Sequence, residues 1–453
     1  MALLIKNGIL GRSDKCFRGD LLIEGEKITA VGESICAHGA EVLDAEGKFV
    51  LPGGVDPHTH VMLHSGENTV SDGFEAASRA ALLGGTTCFV DHPAFSPAGA
   101  PLSEAVELEA AEGAKGSWCD YGLHLVFQGF DETTEEQLAS LAEEGFPTGK
   151  VYTTYAGRMR DEEILPLMRA AKKAGVLLFF HCENNAVTTD LSAWYQQELP
   201  AGPQLWPKSR PDYAEAEAVK RMLSLARAAA VPIYIVHLST AAAYAEVLAA
   251  RRAGQKVYVE SCPQYLLLED SCYKKENGLD YVMAPPLRKY RDREKLWKAL
   301  AQGGIDTIGT DHCSFSRSDK LRAGGENVFK APCGVPGLET RLELLFSEGV
   351  MKNRISPEQF VSVTAEAPAR LTGLAEKGRL APGCDADIII IDPELRHTIS
   401  AEKLHQKVDY TPYEGTEVTG RVTDVWLRGT HAAANSELLL TAPTGRLIKR
   451  KLR

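Results

Sequence analysis

The sequence predicts an α/β protein: a (β/α)8 TIM barrel with a small β-sandwich domain assembled from the N- and C-terminal segments. Three observations carry that expectation. Short apolar runs alternate with helical periods through the middle of the chain. Strand-and-turn texture occupies both ends. Ionisable side chains gather where the central apolar runs finish, the place where barrel enzymes keep their chemistry.

Taken in order, Leu3–Lys6 runs into Asn7-Gly8, Asp20–Glu24 into Gly25, Lys27–Val31 into Gly32, and Glu41–Asp44 towards Gly47, which reads as short strands closed by tight turns. From Phe49 the rhythm changes. The strands expected there are Phe49–Val55, Thr86–Asp91, Gly122–Phe127, Gly149–Tyr152, Val176–His181, Ile233–His237, Lys256–Ser261 and Asp306–Asp311. Helical periods lie between them, among them Ser71–Leu83, Asp161–Ala174, Ala214–Ala230, Ala241–Ala253 and Asp292–Gln302. Nearly continuous apolar strands belong to a parallel sheet covered on both faces. Two connections, Cys182–Asp212 and His312–Gly337, are long enough to be functional lids or insertions. After Leu371 strands return at Ala386–Ile391 and Gly420–Arg428. The expected division is residues 1–51 for the N-terminal part of the small β domain, 52–371 for the barrel, and 372–453 for the C-terminal part and tail.

Composition narrows the function. The 453 residues are 44% hydrophobic and 25% charged, as in ordinary globular proteins. Fifty basic against 61 acidic side chains leave a charge of −11, the wrong sign for a protein that coats nucleic acid. The one basic run, Arg446 to Arg453, reads as a solvated or subunit-docked tail. No apolar stretch approaches the ~18 residues that span a bilayer, and Met1–Ile5 is followed at once by Lys6 rather than by a signal-peptide core. Ten cysteines without a CxxC pair fit reduced thiols. The expectation is a cytoplasmic protein, with no nucleic-acid or membrane partner.

The strongest chemical signal is Gly54-Val55-Asp56-Pro57-His58-Thr59-His60. Residues i and i+2 of a strand face one side, so His58 and His60 offer two imidazoles to one metal ion at the end of the first barrel strand. His181, His237 and Asp311 finish the fifth, sixth and eighth expected strands. His92, His124 and His64 suit packing or support of the ligands, and His38, His397, His405 and His431 the surface. Lys150, in the fourth strand, cannot ligate as an ammonium, but carboxylation by CO2 would turn it into an anion with two oxygens. Cys182, Cys262 and Cys313 read as buried structural thiols. Gly145–Lys150 lacks the spacing of a phosphate loop, and no GxSxG elbow supports a serine nucleophile.

GVDPHTH, Lys150 with Tyr155 five residues later, HCEN at 181–184, HLST at 237–240, ESCPQYLLL at 260–268, APPLR at 284–288, GTDHCSF at 309–315 and GRLAPGCDADI at 378–388 together resemble the dihydropyrimidinase and D-hydantoinase family of cyclic-amide hydrolases. GVPGLETRLELLF and ISPEQF are most similar to its phenylhydantoinase-type members. The resemblance implies a hydrolase with a binuclear centre, zinc first: His58, His60 and Asp311 on one ion, His181 and His237 on the other, carboxylated Lys150 bridging. It implies hydroxide attack on a cyclic amide carbonyl, Tyr155 stabilising the oxyanion and Asp311 moving the proton. Two family residues that bind the ureide ring largely through backbone atoms, a serine and an asparagine, are Ala284 and Cys333 here, which places the standard substrate in question. Met62, Leu63, His64, Phe95, Tyr152 and Arg158 would shape the pocket for the 5-substituent. The expected partners are a small cyclic ureide and further copies of the chain, as a dimer or tetramer. An allantoinase- or dihydroorotase-like activity is the alternative, the latter needing an arginine such as Arg158 or Arg288 for a carboxylate. A non-catalytic scaffold relative would have lost the ligands, and all six are present.

Overall fold

In the computed structural model, which describes residues 2–97, 99–197 and 199–452, both ends of the chain meet in one mixed sheet. Ala2–Gly11, Cys16–Glu24 and Lys27–Gly32 form an antiparallel meander, and Glu41–Asp44 and Phe49–Pro52 run parallel to its first strand. Ile388–Thr398 then pairs with Phe49–Pro52, and Glu417–Leu427, Thr430–Ala434 and Glu437–Leu438 extend the sheet. Ile5, Leu10, Leu21, Ile23, Val50, Ile388 and Trp426 form its buried core.

The expected strand Phe49–Val55 is in fact two. Phe49–Pro52 belongs to the terminal sheet, and Gly54–Thr59 is the first barrel strand. Pro52 has no N–H for a ladder, and the Gly53 N–H turns to the Asp387 carbonyl at 2.8 Å. Periodicity sees one apolar run here because both halves are buried.

Parallel pairing links Asp120–Leu123, Thr86–Asp91 and Gly54–Thr59 in one arc. A second arc runs from Leu125–Phe127 through Thr148–Tyr152, Leu177–His181, Ile233–Ile235 and Val257–Ser261 to Thr307–Ile308. The arcs meet at His124, within the third strand, and at the seam between the first and eighth strands. There the Asp311 N–H donates to the His58 carbonyl at 3.0 Å and the His60 N–H to the His312 carbonyl at 2.8 Å. Arg341, fully buried, gives Nη1 to the carbonyls of Val55 and Ile308, both at 2.9 Å, and Nη2 to Thr86 Oγ1 at 3.0 Å. Its Nε lies 3.8 Å from Asp56. Arg341→Met strands that carboxylate and two carbonyls, so a loss of about 3–5 kcal/mol of stability is expected, read as a lower Tm.

Helices Gly73–Leu83, Asp161–Ala174, Asp212–Ala229, Ala241–Arg252 and Tyr290–Ala301 stand close to their expected spans. Asp161–Ala174 shows why: three acidic residues occupy its first turn, two lysines its last, and Gly175 caps it at φ 69°. The long connections are structured, holding Asn185–Tyr195 and Arg317–Gly324.

The tail is not solvated along its whole length: Arg446, Lys449 and Lys451 are exposed, but Arg450 is buried. It docks on its own barrel, with Ile448 N–H bonded to the Tyr121 carbonyl at 2.8 Å and Arg450 N–H to that of Gly145 at 3.0 Å. Arg450 is buried, its Nη1 donating to Thr148 Oγ1 at 3.0 Å and the Thr372 carbonyl at 2.9 Å. Its Nη2 donates to the Leu123 carbonyl, so both terminal nitrogens of the guanidinium find acceptors on the barrel; a basic run in sequence does not display those acceptors. Arg453 lies outside the described residues. No described helix is long and apolar enough to cross a membrane.

Candidate metal centre

Six of the residues singled out in the sequence meet at the C-terminal mouth of the barrel. His58 sits inside the first strand and His60 just beyond it, both aimed inward by the two-residue repeat. His181 closes the fifth strand. His237 and Asp311 lie past the shorter sixth and eighth strands, Ile233–Ile235 and Thr307–Ile308, rather than as their last residues. Both leave the ladder through left-handed backbone, φ 37° at His237 and 54° at Asp311, and Tyr155 does the same at 73°. Such non-glycine conformations cost about 1–3 kcal/mol each and persist where surrounding structure enforces them. Here they turn side chains into the mouth.

The His58 and His60 Nε2 atoms lie 3.1 and 3.2 Å from Asp311 Oδ1, and ligand atoms of all three fall within 4.8 Å of one another. Across the mouth, His181 Nδ1 faces His237 Nε2 at 2.9 Å. Lys150, fully buried, places Nζ 2.9 Å from His58 Nε2.

Burial sets most of the charges. It pushes the His60 ring down to about 4 and holds His181 and His237 below the usual imidazole range, so their lone pairs are free at neutral pH. Burial and Lys150 press His58 downward too, but the Glu260 and Asp311 carboxylates outweigh them and raise it. For Asp311, burial would raise the carboxyl, yet His58 and His60 keep it well below the usual carboxylate range. Burial lowers Lys150 to about 8. Among the described residues the buried Nδ1 atoms of His60 and His237 have no hydrogen-bond partner.

Two carboxylates that sequence reasoning left unassigned orient these rings. Glu260 Oε1 accepts from His58 Nδ1 at 2.6 Å and from the His237 N–H at 3.1 Å. Glu183 Oε2 accepts from His181 Nε2 at 2.8 Å and from Arg210 Nη1 at 2.6 Å. Arg210 holds Glu183 at about 2 against the upward push of burial. Both acids stand inside the motifs HCEN and ESCPQYLLL; Glu183 is two residues from a strand-end ligand, whereas Glu260 lies on the seventh strand, which carries no ligand. Gly309 leaves the space this packing needs: a Cβ there would meet Glu260 Oε2 at 2.9 Å and His58 Cβ at 3.1 Å.

Tyr155 lies over the centre, its ring 5.1 Å from that of His181, and burial pushes its phenol up, so it stays a donor. The Tyr152 ring lies nearby, tilted at 5.8 Å from His181 and edge-on at 5.2 Å from Phe95. Met62 packs on the main core and Leu63 against Val70, Cys313 and Phe315. Ala284 is buried, and Cys333, half-buried, lies in a loop whose Gly334 N–H donates to the Val282 carbonyl at 3.0 Å.

The remaining residues singled out in the sequence have mixed outcomes. His64 is exposed rather than packed in the core: it bonds Thr69 Oγ1 at 2.9 Å in a short hairpin. Arg158 is exposed and donates to the Tyr155 carbonyl at 3.2 Å. Arg288 is engaged by Ser239 at 3.0 Å and Glu215 at 3.2 Å. His92 and His124 are buried beneath the centre, the His92 ring 4.4 Å from that of His58. Cys182, Cys262 and Cys313 are buried thiols pushed up by desolvation. His38 and His431 are exposed, while His397 and His405 are half-buried against Glu343 and Glu339.

Residues 49–431 match the model of the Amidohydrolase family. D-phenylhydantoinase of Escherichia coli O127:H6 is 39% identical over 454 aligned residues, covering 100% of this chain and 98% of the relative. Among solved structures, a dihydropyrimidinase from Brevibacillus agri NCHU1002 superposes with a TM-score of 0.96 at 37% identity, covering 100% and 99% of the two chains. An L-hydantoinase from Arthrobacter aurescens gives 0.91 at 29% identity, covering 99% of each.

Proposed function

The chain belongs to the amidohydrolase family, and on that premise we propose that it hydrolyses the cyclic amide bond of a 5-substituted hydantoin or a dihydropyrimidine, releasing an N-carbamoyl amino acid. The observation that carries this reading is the convergence of four imidazoles, Asp311 and buried Lys150 at the mouth of a barrel. Full-length similarity to a D-phenylhydantoinase supports it.

The donor set fits a pair of divalent cations. Imidazoles, three of them held neutral by burial, and an ionised carboxylate are ligands that borderline metals such as zinc accept. Ring nitrogens facing each other at 2.9 Å need a cation or a shared proton between them. His58, His60 and Asp311 would hold one ion, His181 and His237 the other, with Lys150 as a carbamate between them. Two such ions supply Lewis acidity and a water acidic enough to ionise near neutral pH.

The chain's own groups do the rest. Asp311, ionised, takes the proton of the attacking water as its oxygen bonds to the ring carbonyl carbon. Tyr155 donates its phenolic O–H to the oxygen that gains charge. As the ring C–N bond breaks, Asp311 returns the proton to the leaving nitrogen. Backbone groups around Ala284 and Cys333 would hold the ureide, so the loss of two polar side chains is tolerated. Arg288 is spent on Ser239 and Glu215 and Arg158 is exposed, which argues against a carboxylate-bearing substrate of the dihydroorotase type.

Tyr152, Tyr155 and Phe95 put an aromatic wall beside the centre, with Met62 and Leu63 on the neighbouring loop. A 5-aryl hydantoin is therefore expected to exceed unsubstituted hydantoin in kcat/KM by roughly 10–200-fold. Rates for unsubstituted, aryl and carboxylate-bearing hydantoins and for dihydrouracil test this; a flat profile, or a preference for the carboxylate, refutes the aromatic pocket. Cytoplasmic residence and assembly as a dimer or tetramer complete the proposal, the latter checked by light scattering.

A further inference from the structure

We propose that Glu183 and Arg210 are a positioning pair that fixes His181 as an Nδ1 ligand and so sets the affinity of one of the two ion sites. This rests on the reading of His181 and His237 as metal ligands.

Hydrogen-bond logic carries the first step. A carboxylate accepts and cannot donate, and Glu183 Oε2 stands 2.8 Å from His181 Nε2. The proton of a neutral His181 therefore sits on Nε2, and the lone pair is left on Nδ1, the atom that faces His237 at 2.9 Å. The Arg210 guanidinium, a fixed planar donor, donates to the same oxygen at 2.6 Å and anchors it against the ring. Without Arg210 that oxygen loses its second partner, and the ring loses its fixed orientation.

The pair is itself held. Thr153 Oγ1 donates to the His181 and Glu183 carbonyls at 3.0 and 2.8 Å and accepts the Glu183 N–H at 3.0 Å. The Arg210 guanidinium lies 4.8 Å from the Trp206 ring and 5.6 Å from the Tyr155 ring. Its backbone carbonyl accepts from Arg288, which reaches Ser239 and Glu215, and Glu215 accepts the Ser239 N–H at 2.8 Å. Ser239 follows His237 by two residues, so one network reaches both ligands of this site. The other site leans on Glu260, which accepts from His58 Nδ1 and also from the His237 backbone N–H. Among the described residues Glu183 and Arg210 form no hydrogen bond with His58, His60 or Asp311, which makes their effect selective.

The test is zinc retained by the full-length protein across buffered free-zinc concentrations, with bicarbonate present. Wild type is expected to bind two ions per chain. Glu183→Gln and Arg210→Gln are expected to hold the first ion as wild type does and the second 10–100-fold more weakly, the usual cost of losing such a ligand support. Free guanidinium added to Arg210→Ala should recover part of the second-site affinity. Should Glu183→Gln fail to fold, Arg210→Lys decides, since it keeps the charge and loses the planar fork; it too should weaken only the second ion. Unchanged binding of both ions overturns the proposal, as does equal weakening of both sites together with a lowered Tm of the metal-free protein. A wild-type chain that binds fewer than two ions overturns instead the reading of His181 and His237 as ligands.

Discussion

Asp311→Asn is expected to lower kcat by 10²–10⁴-fold while leaving Tm and folding close to wild type. The size follows from what the carboxylate does: a positioned general base and acid contributes about that much. The selectivity follows from the site. Asparagine has nearly the same volume, its backbone keeps the bond from Asp311 N–H to the His58 carbonyl at 3.0 Å, and the φ of 54° is one that asparagine adopts readily. The amide loses the charge that His58 and His60 stabilise and cannot take a proton at neutral pH. Turnover within about tenfold of wild type, measured on a hydantoin the parent hydrolyses, would rule out the proton role.

What the sequence displayed, and what it hid, follows the range of the interaction behind each feature. His58 and His60 were legible because two-residue alternation is local and a parallel barrel places functional groups at strand ends. The same rule found His181, and it found His237 and Asp311 even though their strands stop two and three residues earlier, at Ile235 and Ile308. Helix Asp161–Ala174 was legible through its charges and its terminal glycine. The break at Pro52-Gly53 was not, because partners of both halves, Ile388 to Ile391 and Thr86 to Asp91, lie far away in sequence.

The supports around the centre were hidden for the same reason. Arg210 reaches Glu183 across 27 residues, and Glu260 reaches His58 across 202. Nothing local distinguishes these ionisable residues from solvated ones, and the arginines that did attract notice, Arg158 and Arg288, serve a backbone carbonyl and a buried acid. Arg450 stands in a basic run that resembles a solvated or subunit-docked tail, although it is buried and bonded to Thr148 and Thr372.

The second large effect concerns Lys150. Lys150→Ala is expected to abolish measurable turnover, and labelled bicarbonate is expected to mark the wild-type lysine in the intact protein. The motive is a buried cation in the wrong company: Nζ sits 2.9 Å from a histidine nitrogen and, among the described residues, forms no ion pair with a carboxylate. An ammonium there would repel two divalent ions; a carbamate would bind them. Its formation balances without any further reagent, since the amine lone pair bonds to the carbon of CO2 and the displaced amine proton leaves to solvent. Burial prepares the amine for that step. With its pKa lowered to about 8, roughly a tenth of the amine is neutral at pH 7, against fewer than about one in a thousand for an ordinary lysine. The sign follows: because the neutral form is the nucleophile, recovery of activity after metal and CO2 are stripped should quicken as pH rises towards about 8 and level off above it. Short carboxylates such as acetate, which can occupy the space left by Lys150→Ala, should restore part of the activity. An unmodified ammonium in a protein that carries both ions and turns over at the full rate would exclude the bridge.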